Sequence, residues 1–426
     1  MAKKKEDVVS NKTFKVQTRE HVDEDVTKAL SDTTGNATAK LYDEVLLFAN
    51  ASRASDIHLE PDKNEARVRL RIDGILHDYF TIPSELHHRI IALLKIRTHM
   101  RTDEHRAPQD GRDSFETDKG TVDVRASVMP TNVGEKAVLR LLSSESHKLT
   151  LEQLGFEKKD YDVIIRAIHK PWGMILTTGP TGMGKTTTIY AILEILNKRS
   201  VNISTIEDPV EFFIPGVNQS QVDSSAKLTF AKGLRALVRQ DPDVIMVGEI
   251  RDEETAQIAV NAALTGHKLL STLHTNNAAT TVPRLLDMGV EPFLLASTLN
   301  AAVSQRLMRR ACEICRRKKK YDRTDFEVSL DELNVNLLFG TKKTLELIEV
   351  TGCVECNNTG YKGRVGIYEV MEVTDTIQKL IVKRSSSQEI EDTAVSEGMT
   401  TLLQNGVQKV LGGETTIEEL IRVMKE

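Results

Sequence analysis

Three groups of residues have the types and spacing to do chemistry. The first is Gly179-Pro180-Thr181-Gly182-Met183-Gly184-Lys185-Thr186, which fits the pattern G-x-x-x-x-G-K-[ST]. Glycines let such a backbone curl until its N–H groups point at phosphate oxygens. Lys185 would neutralise the β and γ phosphates of a nucleotide, Thr186 offers a hydroxyl to Mg²⁺, and Thr187 is counted with the same nucleotide-binding loop. The second group is acidic and imidazole-bearing. Glu249, in Gly248-Glu249-Ile250-Arg251-Asp252, is expected to orient or deprotonate an attacking water. Ile206-Glu207-Asp208-Pro209-Val210-Glu211 brings three carboxylates together. Glu207 and Asp208 are expected on the cofactor side, through Mg²⁺ and water, and Glu211 on the nucleophile; an acidic loop is the alternative. His267 and His274 bracket one strand, so one leads it and the other leaves its tip. His274 is the better sensor of a γ-phosphate and His267 is grouped with cofactor binding, although either could be a structural histidine.

The third group is Cys312-x-x-Cys315 and Cys353-x-x-Cys356, with 37 residues between the pairs and no cysteine elsewhere. Two such grips make a closed tetrahedral Cys₄ site for Zn²⁺. A disulfide or a redox pair is the alternative.

These residues need elements to position them. Apolar runs at Met174–Thr178, Ile203–Ile206, Val244–Val247 and Leu269–Leu273 alternate with helical patterns, which predicts an α/β core of parallel strands and crossover helices. The phosphate loop sits between the first strand and a helix carrying Ile189, Ile192, Leu193 and Leu196 on one face, so the helix N-terminus is aimed at the phosphates. Upstream, Leu41, Val45, Leu46 and Ala49 recur at helical spacing. Asp56–Glu60 and Arg67–Ile72 alternate with period two, Asp73-Gly74 marks a turn, and a helix starts near Ser84. With strands at Val122–Ser127 and Lys136–Leu142, this region reads as a smaller α+β domain. The expected organisation is a mobile arm at 1–36, the α+β domain at 37–142, a linker at 143–150, the α/β core with the phosphate loop at 151–305, a tetracysteine subdomain at 306–368 and a C-terminal helical segment at 369–426.

The whole chain sets outer bounds. Its 426 residues suit two or three domains. Hydrophobic content of 40% and charged content of 28% are those of a globular protein, and a net charge of -5 argues against a nucleic-acid coat. One basic run stands out: from Arg306 to Lys320 eight Lys/Arg accompany a single acid, Glu313. It could be a solvated face, a nucleic-acid patch or a dock for an acidic partner. No apolar stretch reaches the roughly 20 residues of a membrane span, and Lys3, Lys4 and Lys5 lead into Glu6 and Asp7 rather than a signal peptide, so a cytoplasmic chain is expected.

The phosphate loop, the acidic box, Val247-Gly248-Glu249-Ile250-Arg251-Asp252 and the histidine box from Thr265 to Asn276, in this order, resemble the secretion and type IV pilus ATPases of the GspE/PulE and PilB families. Ala54-Ser55-Asp56-Ile57-His58-Leu59-Glu60-Pro61, Arg69–Gly74 and Pro108-Gln109-Asp110-Gly111-Arg112 match too. The resemblance implies a RecA-like P-loop core, ATP and Mg²⁺ as ligands, zinc on the cysteines and a homo-hexamer. It also implies that the smaller domain lends arginines to the nucleotide, with Arg71, Arg112 and Arg125 as candidates. The implied partner is an inner-membrane platform protein, which would hold the chain indirectly at the inner face of the cytoplasmic membrane. The implied task is pilus assembly or type II-like secretion. Longer members carry a further N-terminal docking domain, and here about 50 residues precede the first matched motif, so the arm is the candidate substitute. The rivals are a RecA-like nucleic-acid motor and a zinc-bearing adaptor with a vestigial nucleotide site; no nucleic-acid partner is expected.

Overall fold

The computed structural model describes residues 27–29, 31, 35–118, 120–143, 149–326 and 332–425. The expected arm and linker fall mostly outside them. The chain divides into two compact units, 1–145 and 146–426.

In the first unit alternating sequences form β1 (Ala54–Pro61), β2 (Glu65–Ile72), β3 (Ile75–Pro83), β4 (Gln109–Thr117), β5 (Gly120–Thr131) and β6 (Gly134–Ser143). They make one sheet in the order β3-β2-β1-β6-β5-β4, antiparallel throughout. The period of two puts Ile57, Leu59, Val68, Leu70, Val124 and Leu139 on one face, buried against Leu41 and Leu46 of the helix Asn36–Ala51 and Ile90 and Leu94 of the helix Ser84–Arg97. The other face is polar. One cross-strand row on it reads Arg71, Asp56, Arg140, Arg125, Arg112. Strands β3 and β4, absent from the sequence reading, are the two edges; β4 has no buried residue and so no apolar period to detect.

The second unit holds β7 (Gly173–Thr178), β8 (Ile203–Glu207), β9 (Val217–Gln221), β10 (Val244–Val247), β11 (Lys268–Leu273), β12 (Leu299–Ala311), the hairpin pair β13 (Arg316–Asp322) and β14 (Thr344–Val350), and β15 (Tyr361–Glu372). The main sheet runs β15-β12-β7-β11-β10-β8-β9, parallel except for β15 against β12. Cores lie on both of its sides. One gathers Leu234, Ala259, Ala263 and Leu295, and the other Ile164, Ile189, Ile192 and Leu193. This is the layered α/β core that the alternation predicts.

The sequence reading ended the ATPase core at 305, but β12 continues through that point and β15 through 368. The cysteine-bearing segment therefore extends from the far ends of two long strands of the main sheet. It shares a core with the last helices, in which Met308, Leu347 and Val365 pack with Leu402, Val407, Leu420 and Val423. Among the described residues no helix is long and apolar enough to cross a membrane.

Candidate nucleotide site and metal centre

Parallel strands present their C-terminal ends at one edge, where open α/β sheets bind ligands. The loop 179–184 leaves β7 there and enters the helix Lys185–Leu196. Gly184 caps that helix with φ of 78°, a conformation that disfavours a side chain. At Gly179 a Cβ would lie 2.7 Å from Gln305 O and 3.2 Å from Arg306 Nη1, so only glycine lets the loop pass this close to β12. Lys185 is 8% exposed and its Nζ donates to Gly179 O at 2.7 Å and Pro180 O at 3.0 Å. Burial pushes its ammonium down to about 8; the charge of Glu249 opposes this and that of Arg306 adds to it. Thr186 and Thr187 follow in the first turn, part-exposed beside unpaired helix N–H groups.

Across the edge, Glu249 follows β10 and His274 follows β11. Ser271 Oγ donates to Val247 O at 2.7 Å and Thr272 Oγ1 to Gly248 O at 2.8 Å, which fixes the two strand tips together. His274 Nε2 lies 3.1 Å from Glu249 Oε2, and Arg251 donates to the other oxygen. Burial pushes the Glu249 carboxyl up, but Arg251 and then His274 outweigh it and hold the group below its ordinary value. Gly248 has a steric reason: a Cβ there would come within 3.3 Å of both Glu207 Cα and the Phe230 ring.

Two expectations are corrected. His267 precedes β11, whose first residue Lys268 pairs with Gly173 at the start of β7, while the phosphate loop follows Thr178 at its end. It therefore lies at the opposite edge of the sheet, with Nδ1 2.9 Å from Ala262 O, and does not meet the loop of its own chain. Glu207 is at the right edge but turned inward, 1% exposed, bonded by Tyr190, by Thr205 at 2.6 Å and by Gln219 at 3.2 Å. It braces β8 against the phosphate-loop helix rather than facing ligand. Burial raises its carboxyl, those three hydrogen bonds opposing. Asp208, joined to Pro209 by a cis peptide, is exposed at the strand tip and acts electrostatically on Arg251. Glu211 is part-buried, its backbone N–H 3.4 Å from the Tyr190 hydroxyl.

Gln305 and Arg306 were missed. Gln305 Nε2 donates to Met183 O at 2.5 Å. Arg306, 7% exposed, donates to Gln305 O and to Asn276 O, each at 3.1 Å. The available signal was the polar triplet Ser304-Gln305-Arg306 set between apolar residues.

The arginines expected to reach nucleotide lie in the first unit. Arg71, Arg112 and Arg125 share the one polar-face row described above. Arg71 Nε is 3.8 Å from Asp56, and Arg140 Nε donates to the same carboxylate at 3.0 Å.

The cysteines converge. All four sulfurs lie within 4.8 Å of one another, with Cys312–Cys353 at 3.8 Å, Cys315–Cys356 at 3.9 Å and Cys353–Cys356 at 3.7 Å. Sulfurs about 2.3 Å from a tetrahedral Zn²⁺ stand about 3.8 Å apart, whereas a disulfide needs about 2 Å. The residues fit zinc. Burial pushes Cys315 up to about 11, while N–H groups of Cys353 and Gly360, overcoming burial, bring Cys356 down to about 7.

Comparison with known proteins decides the family. The family described as Type II/IV secretion system protein matches residues 32–422. The chain belongs to this family. It is 45% identical to the type IV pilus assembly ATPase PilB of Myxococcus xanthus over 94% of its length and 70% of that protein's. It is 46% identical to PilB of Thermus thermophilus over 91% of its length, yet spans only 43% of that relative. It is 44% identical to the type II secretion system ATPase E of Vibrio cholerae, covering 91% of this chain and 75% of that one. Among solved structures it is similar to the pilus retraction motor PilT with bound ADP, with a TM-score of 0.60 and 28% identity over 89% of this chain and 95% of PilT. The enzyme class is that of the P-loop ATPases.

In this secretion-family ATPase the run from Arg306 to Lys320 is not a uniform cationic patch. Arg309 pairs with Glu419 at 2.8 Å, Arg310 with Glu414 at 3.5 Å, and Arg317 and Lys319 with Glu349 at 2.9 and 2.7 Å. Acids remote in sequence neutralise much of it.

Proposed function

We propose that this chain is a hexameric cytoplasmic ATPase that couples ATP hydrolysis to movement of an inner-membrane platform protein, driving pilus assembly or type II-like secretion at the inner face of the membrane. The observation that carries the catalytic part is the meeting of Glu249 and His274 at the sheet edge where the phosphate loop emerges. In this reading the loop amides and Lys185 bind the phosphates and Thr186 supplies a hydroxyl to Mg²⁺. Glu249, kept ionised by Arg251 and His274, orients the attacking water. Glu211 assists it, and His274 senses the γ-phosphate. Arg71, Arg112 and Arg125 complete the site of a neighbouring subunit, an effect worth about 10³–10⁵ in rate where such arginines act. Cys312, Cys315, Cys353 and Cys356 hold a structural Zn²⁺, which supplies cohesion and no chemistry.

ATP turnover by the purified chain, compared with Lys185→Ala and Glu249→Gln, tests this. Both variants should lose at least about 100-fold in rate. Turnover at the parent rate in either would overturn the assignment of that residue, and no turnover by the parent in any assembly state would overturn the enzyme.

A further inference from the structure

Arg306 carries a charge that the fold alone does not explain. The residue is 7% exposed, and the guanidinium's two hydrogen bonds go to neutral carbonyls, Gln305 O and Asn276 O. Among the described residues no carboxylate forms an ion pair with it. Glu369, whose charge acts on it, is spent on the backbone N–H groups of Ala278 at 2.7 Å and Leu402 at 3.3 Å. A buried cation without an anion is costly, and tying two strand tips by two carbonyl bonds does not require one.

Its position supplies the anion. Arg306 starts on β12, crosses the end of β7 against the backbone of Gly179, the first residue of the phosphate loop, and reaches Asn276 beyond β11. Asn276 is two residues past His274, which touches Glu249. The guanidinium thus spans from the phosphate loop to the side of the site where hydrolysis is placed, and the α and β phosphates have the loop amides. We propose that Arg306 is a second phosphate-binding cation of this site, recognising the terminal phosphate of ATP from within the same chain. This rests on the ATPase reading above. Two of its five N–H donors hold the carbonyls and set the plane of the guanidinium, leaving the rest for phosphate oxygens. Lys185 and Arg306 repel each other, and a polyphosphate between them turns that repulsion into shared attraction.

The test is the ratio of ATP to ADP affinity, measured by direct binding with a non-hydrolysable ATP analogue and with ADP. Arg306→Gln should weaken analogue binding at least tenfold and ADP binding less than threefold, and Arg306→Lys should fall between parent and Arg306→Gln. An equal loss for both nucleotides, or no loss, would show a structural tie and overturn the proposal. If Arg306→Gln does not fold, Arg306→Lys decides: its ratio must fall at least threefold, and an unchanged ratio overturns the proposal. Failure of the ATPase reading looks different, since a parent chain that binds both nucleotides but hydrolyses no ATP would sink that reading while the ratio still reports on Arg306.

Discussion

Gln305 accepts a hydrogen bond from Thr188 at 2.7 Å, across 117 residues of sequence. Thr188 lies in the first turn of the phosphate-loop helix, and the Gln305 amide donates to Met183 O within the loop. One side chain from β12 therefore fixes both the loop and the helix it feeds.

Gln305→Ala removes the partner of the buried Thr188 hydroxyl and of the part-buried Met183 carbonyl, a loss of about 1–3 kcal/mol. We expect a lower melting temperature and an ATP KM raised several-fold, with kcat changed less. A thermal melt and KM equal to those of the parent would show that the clamp is dispensable.

The acid limb of activity should follow Glu249. Arg251 and His274 hold its carboxyl below the ordinary value, so ionisation, and with it turnover, persists below about pH 4.3 as far as the fold survives. Arg251→Gln removes the larger opposing influence and lets burial push the carboxyl up, which moves the limb to higher pH. His274→Gln should move it less and lower kcat more. A pH–rate profile of Arg251→Gln that superimposes on the parent's would refute this.

Lys185 sets the alkaline side. With its ammonium brought down to about 8, the charged form is complete well below that pH and lost above it. Phosphate favours the charged form, so binding takes up a proton. Nucleotide affinity should be flat from pH 6 to about 7.5 and fall by up to tenfold per unit above about 8. Calorimetry in buffers of different ionisation enthalpy reads the proton uptake directly; its absence at pH 8.5 would contradict the assignment.

Zinc should travel with the protein at about one ion per chain. Chelation should lower the melting temperature of the second unit, because Cys312 directly follows β12 and the second cysteine pair precedes β15, two strands whose residues Met308 and Val365 share one core. Cys356→Ser should reproduce the loss. Metal-free chain that melts identically with and without chelator would remove zinc from the account.

Much of the site was legible because its chemistry is local. A phosphate loop works through consecutive backbone amides, and a cysteine grip through one tight turn. The glycines, Lys185, the strand-end Glu249 and the cysteine pairs could therefore be named as candidates from spacing alone. Strand direction even separated His274 from His267, since residues that enter and leave a parallel strand lie at opposite edges.

What the chain order could not disclose was adjacency. β12 is buried along most of its length yet carries Asn300, Ser304, Gln305 and Arg306 among its apolar residues, so neither a period of two nor an unbroken apolar run marks it as a strand. Its place beside β7 is a matter of sheet topology, and that alone brings Gln305 and Arg306 to the phosphate loop. The same holds for charge: Glu349, Glu414 and Glu419 neutralise a basic run that begins more than forty residues before the nearest of them. By itself the sequence determined which groups could hold phosphate and metal, because bonded neighbours present them. Only the tertiary structure decided what surrounds those groups, because hydrogen bonds and ion pairs act through space and depend on which strands the fold makes neighbours.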